Sequence, residues 1–169
     1  MTELNLWLDS YDDVYSDFDS RHYLKRRISD DFLHELRIEI KDREHVARDL
    51  VLLLPPERRD ETAEKIIAAS LVNFFAGQFR FHEDKCRVKL NKGILLLASG
   101  IITMLVNSWV NYRYEVSFPV TALRVLMEPA GWFLLWAALD FLFYDFPGLK
   151  RERDFFRELW DMHIHFRSA

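Results

Sequence analysis

The sequence predicts an integral membrane protein, an α-helical hairpin of two transmembrane helices plus a small cytoplasmic α/β domain built from both termini. Three observations predict this fold. Two apolar blocks lie in the second half of the chain, basic residues flank the pair, and short strand-like and helix-like patterns fill the remainder. The chain has 169 residues and a net charge of −4, and its mean hydropathy of −0.14 conceals the two blocks.

The first apolar block contains no charged residue between Gly93 and Tyr112. A helix of this length rises about 30 Å, which matches one hydrocarbon core. Trp109 and Tyr112 are placed as interfacial anchors. A buried helix of a soluble protein is the alternative, but the rest of the chain is too short to cover it on every side. We therefore predict transmembrane helix 1 at 93–112.

The second block, 123–145, is long enough to span but contains Arg124, Glu128 and Asp140. Each charge at the middle of a bilayer costs about 2.5–3.5 kcal/mol on insertion scales. Arg124 and Glu128 are spaced to pair on one helix face. We predict transmembrane helix 2 at 123–145, joined to the first by an external loop at 113–122.

Loop charges predict the orientation. Basic residues precede the first block and follow the second, whereas the loop between them has only Arg113, balanced by Glu115. By the positive-inside rule both termini are cytoplasmic in a multi-pass protein of the inner membrane. The first residues lack a signal-peptide pattern. The flanking basic residues are Lys85, Arg87, Lys89, Lys92, Lys150, Arg151, Arg153 and Arg157.

The cytoplasmic domain is expected to combine residues 1–92 and 146–169. Ser29 is a candidate N-cap for a first helix, and a second helix starts near Asp60 and continues into the membrane. A third covers Leu149 to Trp160, with an apolar stripe on one face. The predicted strands are Leu4–Leu8, Asp49–Leu54 and Met162–Arg167.

Four segments carry a family resemblance: DFDSR (Asp17–Arg21), ISDDFL (Ile28–Leu33), LLLPPERR (Leu52–Arg59) and EPAGWF (Glu128–Phe133). They resemble a largely uncharacterised family of small two-span bacterial and archaeal membrane proteins, over most of the chain. The architecture is also similar to small membrane effectors of nucleotide- or nucleic-acid-controlled phage-defence operons, such as the Hailong membrane effector. That resemblance implies a pore-type effector with an operon-encoded partner.

The pattern at Glu128 is the most informative for function. Pro129 removes a backbone donor and Gly131 loosens a helix, so we predict a helix break there. A carboxylate beside such a break is a common way to line a polar path. Glu128 is therefore predicted to face a pore or a cation site. Pairing with Arg124, which would only fix a helix interface, is the alternative.

Further polar residues extend this predicted ion path. Ser99, Thr103 and Asn107 recur every fourth residue in the first block, which allows close helix contact or a water-lined face. Asp140 lies about 120° around the helix from Glu128, so it is a candidate vestibule charge or a residue facing headgroup water.

Six basic residues are candidate ligand-binding residues: Arg21, Lys25, Arg26, Arg27, Arg58 and Arg59. They could bind the phosphates of a nucleotide, a nucleic acid or an anionic lipid. A solvated or lipid-facing surface is the alternative.

No catalytic motif is present, so we expect neither an enzyme nor a cofactor. Asp17 and Asp19 could hold Mg²⁺ with a phosphate ligand, although turn and cap roles are more frequent for such aspartates. His163 and His165 share a strand face, but two histidines without a third ligand predict no metal site. Cys86 is the single cysteine.

The favoured function is an oligomeric membrane channel or pore-type effector, gated by a nucleotide or nucleic acid at its cytoplasmic domain. Two helices per chain cannot enclose a path, so a homo-oligomer is expected. The alternative is a membrane-anchored adaptor or sensor that recruits a cytosolic partner.

Overall fold

Three short strands form a parallel sheet from widely separated parts of the sequence. The computed structural model describes residues 3–16, 26–41, 47–115 and 117–168. The strands are β1 (Glu3–Trp7), β2 (Asp49–Leu54) and β3 (His163–Ser168), in the spatial order β1-β2-β3. Leu4 is opposite Leu50, which is opposite Ile164. The sheet predicted from both ends of the sequence is confirmed, with the first and third strands displaced by one residue.

Four helices account for most of the remaining residues, and their bounds are α1 (Asp30–Lys41), α2 (Glu61–Arg113), α3 (Phe118–Asp140) and α4 (Phe146–Asp161). The chain divides into two compact units. The terminal unit comprises Met1–Arg80 with Asp154–Ala169, and the hairpin unit comprises Phe81–Arg153.

The core of the terminal unit lies between one face of the sheet and three helices. Leu4, Leu50, Leu52 and Leu54 are fully buried on that face. The helices contribute Phe32 and Leu36 from α1, Ile67, Leu71 and Phe75 from α2, and Phe155, Phe156 and Leu159 from α4. The leucine-rich β2 is thus a strand buried against helices, as predicted from its lack of alternating polar residues.

The helices α1 and α2 begin where the sequence predicts, each with a capping side chain. The backbone N–H of Asp31 donates to Ser29 Oγ at 3.2 Å, which satisfies one of the free donors at the start of α1. The N–H of Thr62 donates to Asp60 Oδ1 at 2.8 Å in the same way at α2. α2 then continues for 53 residues without interruption, so the predicted long helix is confirmed.

The connection between α2 and α3 is shorter than the predicted loop at 113–122. α3 begins at Phe118, and Pro119 occupies its first turn. A proline there is favourable, because its fixed φ suits a helix and its missing N–H would have had no partner. Residues 118–122, which the sequence assigned to the external loop, are therefore helical.

A π-helical turn, Phe141–Asp145, separates α3 from α4. The residues Phe118–Asp161 are therefore helical throughout, over 44 residues. α4 begins three residues before the predicted Leu149 and buries the predicted stripe of Phe155, Phe156 and Leu159.

Two helical stretches are long and apolar enough to cross a membrane, by length and composition. They are Glu61–Arg113 and Phe118–Asp161, and only 11% of the most apolar window of each is buried. Their exposed side chains include Leu95, Leu105, Phe133 and Trp136, each more than 60% exposed. A core helix of a soluble protein would instead be mostly buried.

Candidate functional site

α2 and α3 approach so closely in the hairpin unit that two glycines have little room for a side chain. A Cβ at Gly100 would lie 3.1 Å from both the Cγ and the backbone nitrogen of Leu135. A Cβ at Gly131 would lie 2.8 Å from Met104 Cγ. Small residues at a helix interface allow this close contact of backbones.

Two of the predicted path residues use their hydroxyl groups within their own helix. Ser99 Oγ donates to the carbonyl of Leu96, and Thr103 Oγ1 donates to the carbonyl of Ser99, each at 2.8 Å. Both side chains are half-buried. Their donors are thus occupied, and neither residue lines the polar cavity described next.

A polar cavity of about 480 Å³ opens between α2 and α3. Two polar atoms at its lining, Asn107 Oδ1 and Arg124 Nε, are buried without a hydrogen-bond partner among the described residues. Buried polar groups are normally paired with protein or with ordered water. The cavity lining consists of Met104, Asn107, Ser108, Asn111, Arg124, Glu128 and Trp132. It therefore unites two predicted path residues, Asn107 and Glu128.

Arg124 closes the end of the neighbouring helix. Its Nη2 donates to the carbonyls of Val110 at 3.2 Å, Asn111 at 3.3 Å and Tyr114 at 3.2 Å. These carbonyls lie at or just beyond the C-terminal turn of α2, which carries partial negative charge, and the Val110 carbonyl also accepts from the backbone N–H of Tyr114 at 3.2 Å. Sequence reasoning missed this role, because it depends on how α3 folds back on α2.

Glu128 is exposed, and it forms no hydrogen bond or ion pair with the described residues. Its expected partner, Arg124, is used by the carbonyls of α2, so the pairing considered as an alternative does not form. Glu128 lies ten residues after the start of α3, or about 15 Å along the helix. An apolar helix thus presents an unpaired carboxylate near the middle of its length.

The structure assigns no interruption of the helix at Pro129 and Gly131. α3 continues through Pro129. The proline removes one backbone hydrogen bond of the helix. Gly131, which is buried, serves close contact with Met104 rather than flexibility. The irregular turn lies further on, at Phe141–Asp145.

Asp140 is exposed at the end of α3 and does not line the cavity. The structure therefore brings Glu128 and Asn107 together and leaves Asp140 apart from them, in keeping with the angle of about 120° between the two carboxylates.

The basic candidates of the terminal unit have structural partners where the structure describes them. Arg26 forms an ion pair with Asp12, and Arg27 lies 3.3 Å from Asp30 Oδ2. Arg58 donates to the carbonyl of Asp9 at 2.9 Å. Arg21 and Lys25 lie outside the described residues.

Arg59 belongs to a cluster that the sequence did not reveal. Its Nε and Nη2 donate to the two carboxylate oxygens of Glu64 at 2.8 and 3.0 Å, and its Nη1 donates to Ser168 Oγ at 3.1 Å. Tyr11 donates its hydroxyl hydrogen to Glu64 Oε1 at 3.1 Å. The cluster joins α2, β3 and the turn after β1. The signal available in the sequence, an arginine just before a helix with a glutamate in its first turn, specifies neither Tyr11 nor Ser168.

Electrostatics in this cluster follow from its geometry. The hydrogen bonds from Arg59 hold the pKa of the buried Glu64 carboxyl below its usual value, against the opposing effect of burial. Burial raises the pKa of Tyr11, and its hydrogen bond to Glu64 acts in the same direction. The Arg59 guanidinium is therefore bound to the carboxylate of Glu64 within the fold.

The acidic residues at the start of the chain act in turns. Asp13 Oδ2 accepts from the backbone N–H groups of Asp9 and Ser10 at 2.7 and 2.9 Å. Asp9 Oδ1 accepts from the indole N–H of Trp7 at 3.1 Å. Asp17 and Asp19 lie outside the described residues. Within the part of the chain that the structure describes, no group of three or more acidic, histidine or cysteine side chains is placed to hold a metal ion.

The two histidines of β3 share one acidic neighbour. His165 Nε2 lies 3.4 Å from Asp49 Oδ1, and His163 Nδ1 lies 4.0 Å from the same atom. Their rings are stacked with centroids 6.5 Å apart.

Comparisons with protein-family models, curated proteins and solved structures find no match to this chain.

Proposed function

We propose that this protein is a multi-pass protein of the inner membrane that assembles into a homo-oligomeric ion channel. Residues 93–112 and 123–145 span the bilayer as a hairpin, and both termini are cytoplasmic. Two long apolar helices with mostly exposed side chains support this placement. The basic residues before the first and after the second apolar segment support the orientation.

One observation carries the channel proposal: Glu128 is exposed on an apolar helix, five residues inside the proposed span, and it pairs with none of the residues that the structure describes. A charge that faces lipid costs up to about 2.5–3.5 kcal/mol on insertion scales, the value for the centre of a span. A water-filled path between subunits removes this cost, because it hydrates the carboxylate. The same path supplies partners for the buried Asn107 Oδ1 and Arg124 Nε.

Oligomerisation follows from geometry. One hairpin provides two helices, which cannot enclose a path, whereas a ring of three or more copies can. The exposed apolar residues of α2 and α3 supply the surface for contacts between copies and with lipid. The mass of the protein in detergent, after subtraction of bound detergent, tests this step. A ring of three or more chains supports the proposal, and a strict monomer or dimer opposes it.

Conductance tests the role of Glu128. Glu128→Gln removes the charge with little change in shape, so we expect altered unitary conductance or cation selectivity in planar bilayers with an unchanged oligomer mass. Asp84→Asn is the matched control, because Asp84 is an exposed carboxylate of the hairpin unit outside the predicted spans. Conductance that is the same for both variants and the unmodified protein would remove Glu128 from any path.

The terminal unit is the proposed sensor of a nucleotide or nucleic-acid ligand, as in the phage-defence effectors that the architecture resembles. Its own core supports an independent role. Of the described candidates, Arg59 already serves Glu64. Ligand contact is assigned first to Arg27 and Arg58, which are exposed, with Arg21, Lys25, Arg26 and Arg59 as the further candidates.

Ligand binding is tested by the unfolding temperature of the purified protein with nucleoside triphosphates and short oligoribonucleotides. We expect stabilisation that Arg27→Gln abolishes and that Arg80→Gln, at an exposed arginine of the same unit, leaves intact. Equal stabilisation of both variants would refute this assignment.

A membrane-anchored adaptor is the second candidate, favoured by one exposed aromatic on the sheet. Trp7 at the end of β1 is 57% exposed, and large aromatic side chains of this kind anchor protein interfaces. An adaptor requires only that the spans hold the terminal unit at the membrane. Exchange of 93–112 and 123–145 for unrelated spans would then preserve function, whereas a channel would lose it.

A further inference from the structure

An open groove of about 350 Å³ lies beside α2 at the start of the apolar segment. Its lining combines two cations with apolar surface, and consists of Lys89, Lys92, Gly93, Leu96 and Phe141. All five residues belong to the hairpin unit. The groove is separate from the polar cavity that contains Glu128, with which it shares no lining residue.

The groove has its shape because Gly93 has no side chain. A Cβ at this position would lie 2.6 Å from Cδ1 of the Phe141 ring. The ring therefore lies directly against the backbone of α2 and forms one wall. Phe141 is also the first residue of the π-helical turn, a kind of distortion that is frequent at functional sites.

The two lysines carry uncompensated charge. Both are exposed, and neither forms an ion pair or a hydrogen bond with the described residues. Since they are three residues apart in α2, they lie on one helix face with Cβ atoms about 5–6 Å apart. Leu96 is one turn beyond Lys92 on the same face, so apolar surface begins where the charge ends.

We propose that this groove binds an anionic phospholipid. The phosphate lies between Lys89 and Lys92, and one acyl chain follows Leu96 and the Phe141 ring. This assignment rests on the membrane placement in the proposed function, which puts Lys92 at the headgroup level and Leu96 inside the hydrocarbon. Charge complementarity selects the ligand, because lysine ammonium groups near a membrane surface attract anionic headgroups, and the apolar wall requires a chain that a soluble phosphate lacks.

Native mass spectrometry of the full-length protein in neutral detergent tests this site. Phosphatidylglycerol and phosphatidylcholine with identical acyl chains are added at equal concentration. We expect phosphatidylglycerol adducts at least fivefold more abundant, and we expect Lys89→Gln/Lys92→Gln to remove that preference. The matched control, Lys65→Gln/Lys150→Gln, removes the same charge at exposed lysines outside the groove and should retain it.

Three results would overturn the assignment. Equal binding of both lipids would show that the headgroup charge is not recognised. An equal loss in both double variants would show a diffuse basic surface instead of a site. Displacement of the lipid by glycerol phosphate at the same concentration would show that the acyl groove contributes nothing. The same spectra report the number of subunits, so a failed lipid site with an intact ring is distinguishable from failure of the proposed channel.

Discussion

Replacement of Gly100 by alanine tests how closely α2 and α3 approach each other. The added Cβ would lie 3.1 Å from the backbone nitrogen of Leu135 and 3.2 Å from Leu134 Cβ. Neither atom is the end of a flexible side chain, so relief requires a displacement of the helices by a few tenths of an ångström. Gly148 is the matched control in the same unit, because a Cβ there has nothing within 4 Å.

The two substitutions should change stability in opposite directions. Alanine is favoured over glycine in a helix by about 0.8–1.0 kcal/mol, and overpacking costs about 1–3 kcal/mol. Gly148→Ala should therefore stabilise the protein by up to about 1 kcal/mol. The free energy of unfolding of Gly100→Ala should be lower than that of Gly148→Ala by the overpacking cost, about 1–3 kcal/mol.

The assay is thermal unfolding of the detergent-solubilised protein, followed by circular dichroism. For a chain of this size each kcal/mol shifts the unfolding temperature by about 2–4 °C, so the variants should differ by at least about 2 °C. A larger residue, as in Gly100→Leu, should widen the difference. If Gly100→Ala were as stable as Gly148→Ala, the close approach of the two helices at this glycine would be refuted.

Three other predictions concern polar contacts. The pKa of Glu64 is lowered in the folded state, so this carboxylate stabilises the fold above its unfolded pKa and ceases to do so as the pH falls through its folded pKa. In Glu64→Gln the unfolding temperature should therefore fall less steeply below about pH 4.5 than in the unmodified protein. An unchanged dependence of the unfolding temperature on acid pH would contradict this. Tyr11→Phe should destabilise the terminal unit by at least about 1 kcal/mol, because it removes the hydrogen bond to Glu64 and the one accepted from the backbone N–H of Asp60. Urea unfolding measures this, and an unchanged free energy of unfolding would contradict it. Arg124→Leu should increase hydrogen exchange of the amides around Tyr114, because a leucine cannot donate to the carbonyls at the end of α2. Protection equal to that of the unmodified protein would refute the capping role.

The sequence predicts local elements well where burial imposes a pattern. The leucine run Asp49–Leu54 forms the central strand, and the stripe of Phe155, Phe156 and Leu159 is the buried face of α4. These patterns depend only on neighbours along the chain. The long α2 was likewise predictable, because it contains no proline and its few glycines do not interrupt a helix.

The features that the sequence left open depend on contacts between distant residues. Pro129 and Gly131 suggested a break, but the helix continues through both, and Gly131 lies in close contact with Met104. The spacing of Arg124 and Glu128 suggested a pair, but the fold brings Arg124 to the end of α2 first. The sequence thus indicated polar residues around Glu128, but it did not indicate which of these residues would contact one another.

The parallel pairing of β2 with β3 has a consequence for how the protein is made. β3 follows both apolar helices in the chain, yet it is hydrogen-bonded along the whole of β2, which precedes them. The ribosome therefore delivers both apolar helices before the sheet can be completed. Until β3 emerges, one edge of β2 has free N–H and C=O groups that can pair with other chains. Both apolar helices are thus synthesised before the terminal unit can complete its sheet, so a nascent chain that stalls before β3 exposes an aggregation-prone strand edge.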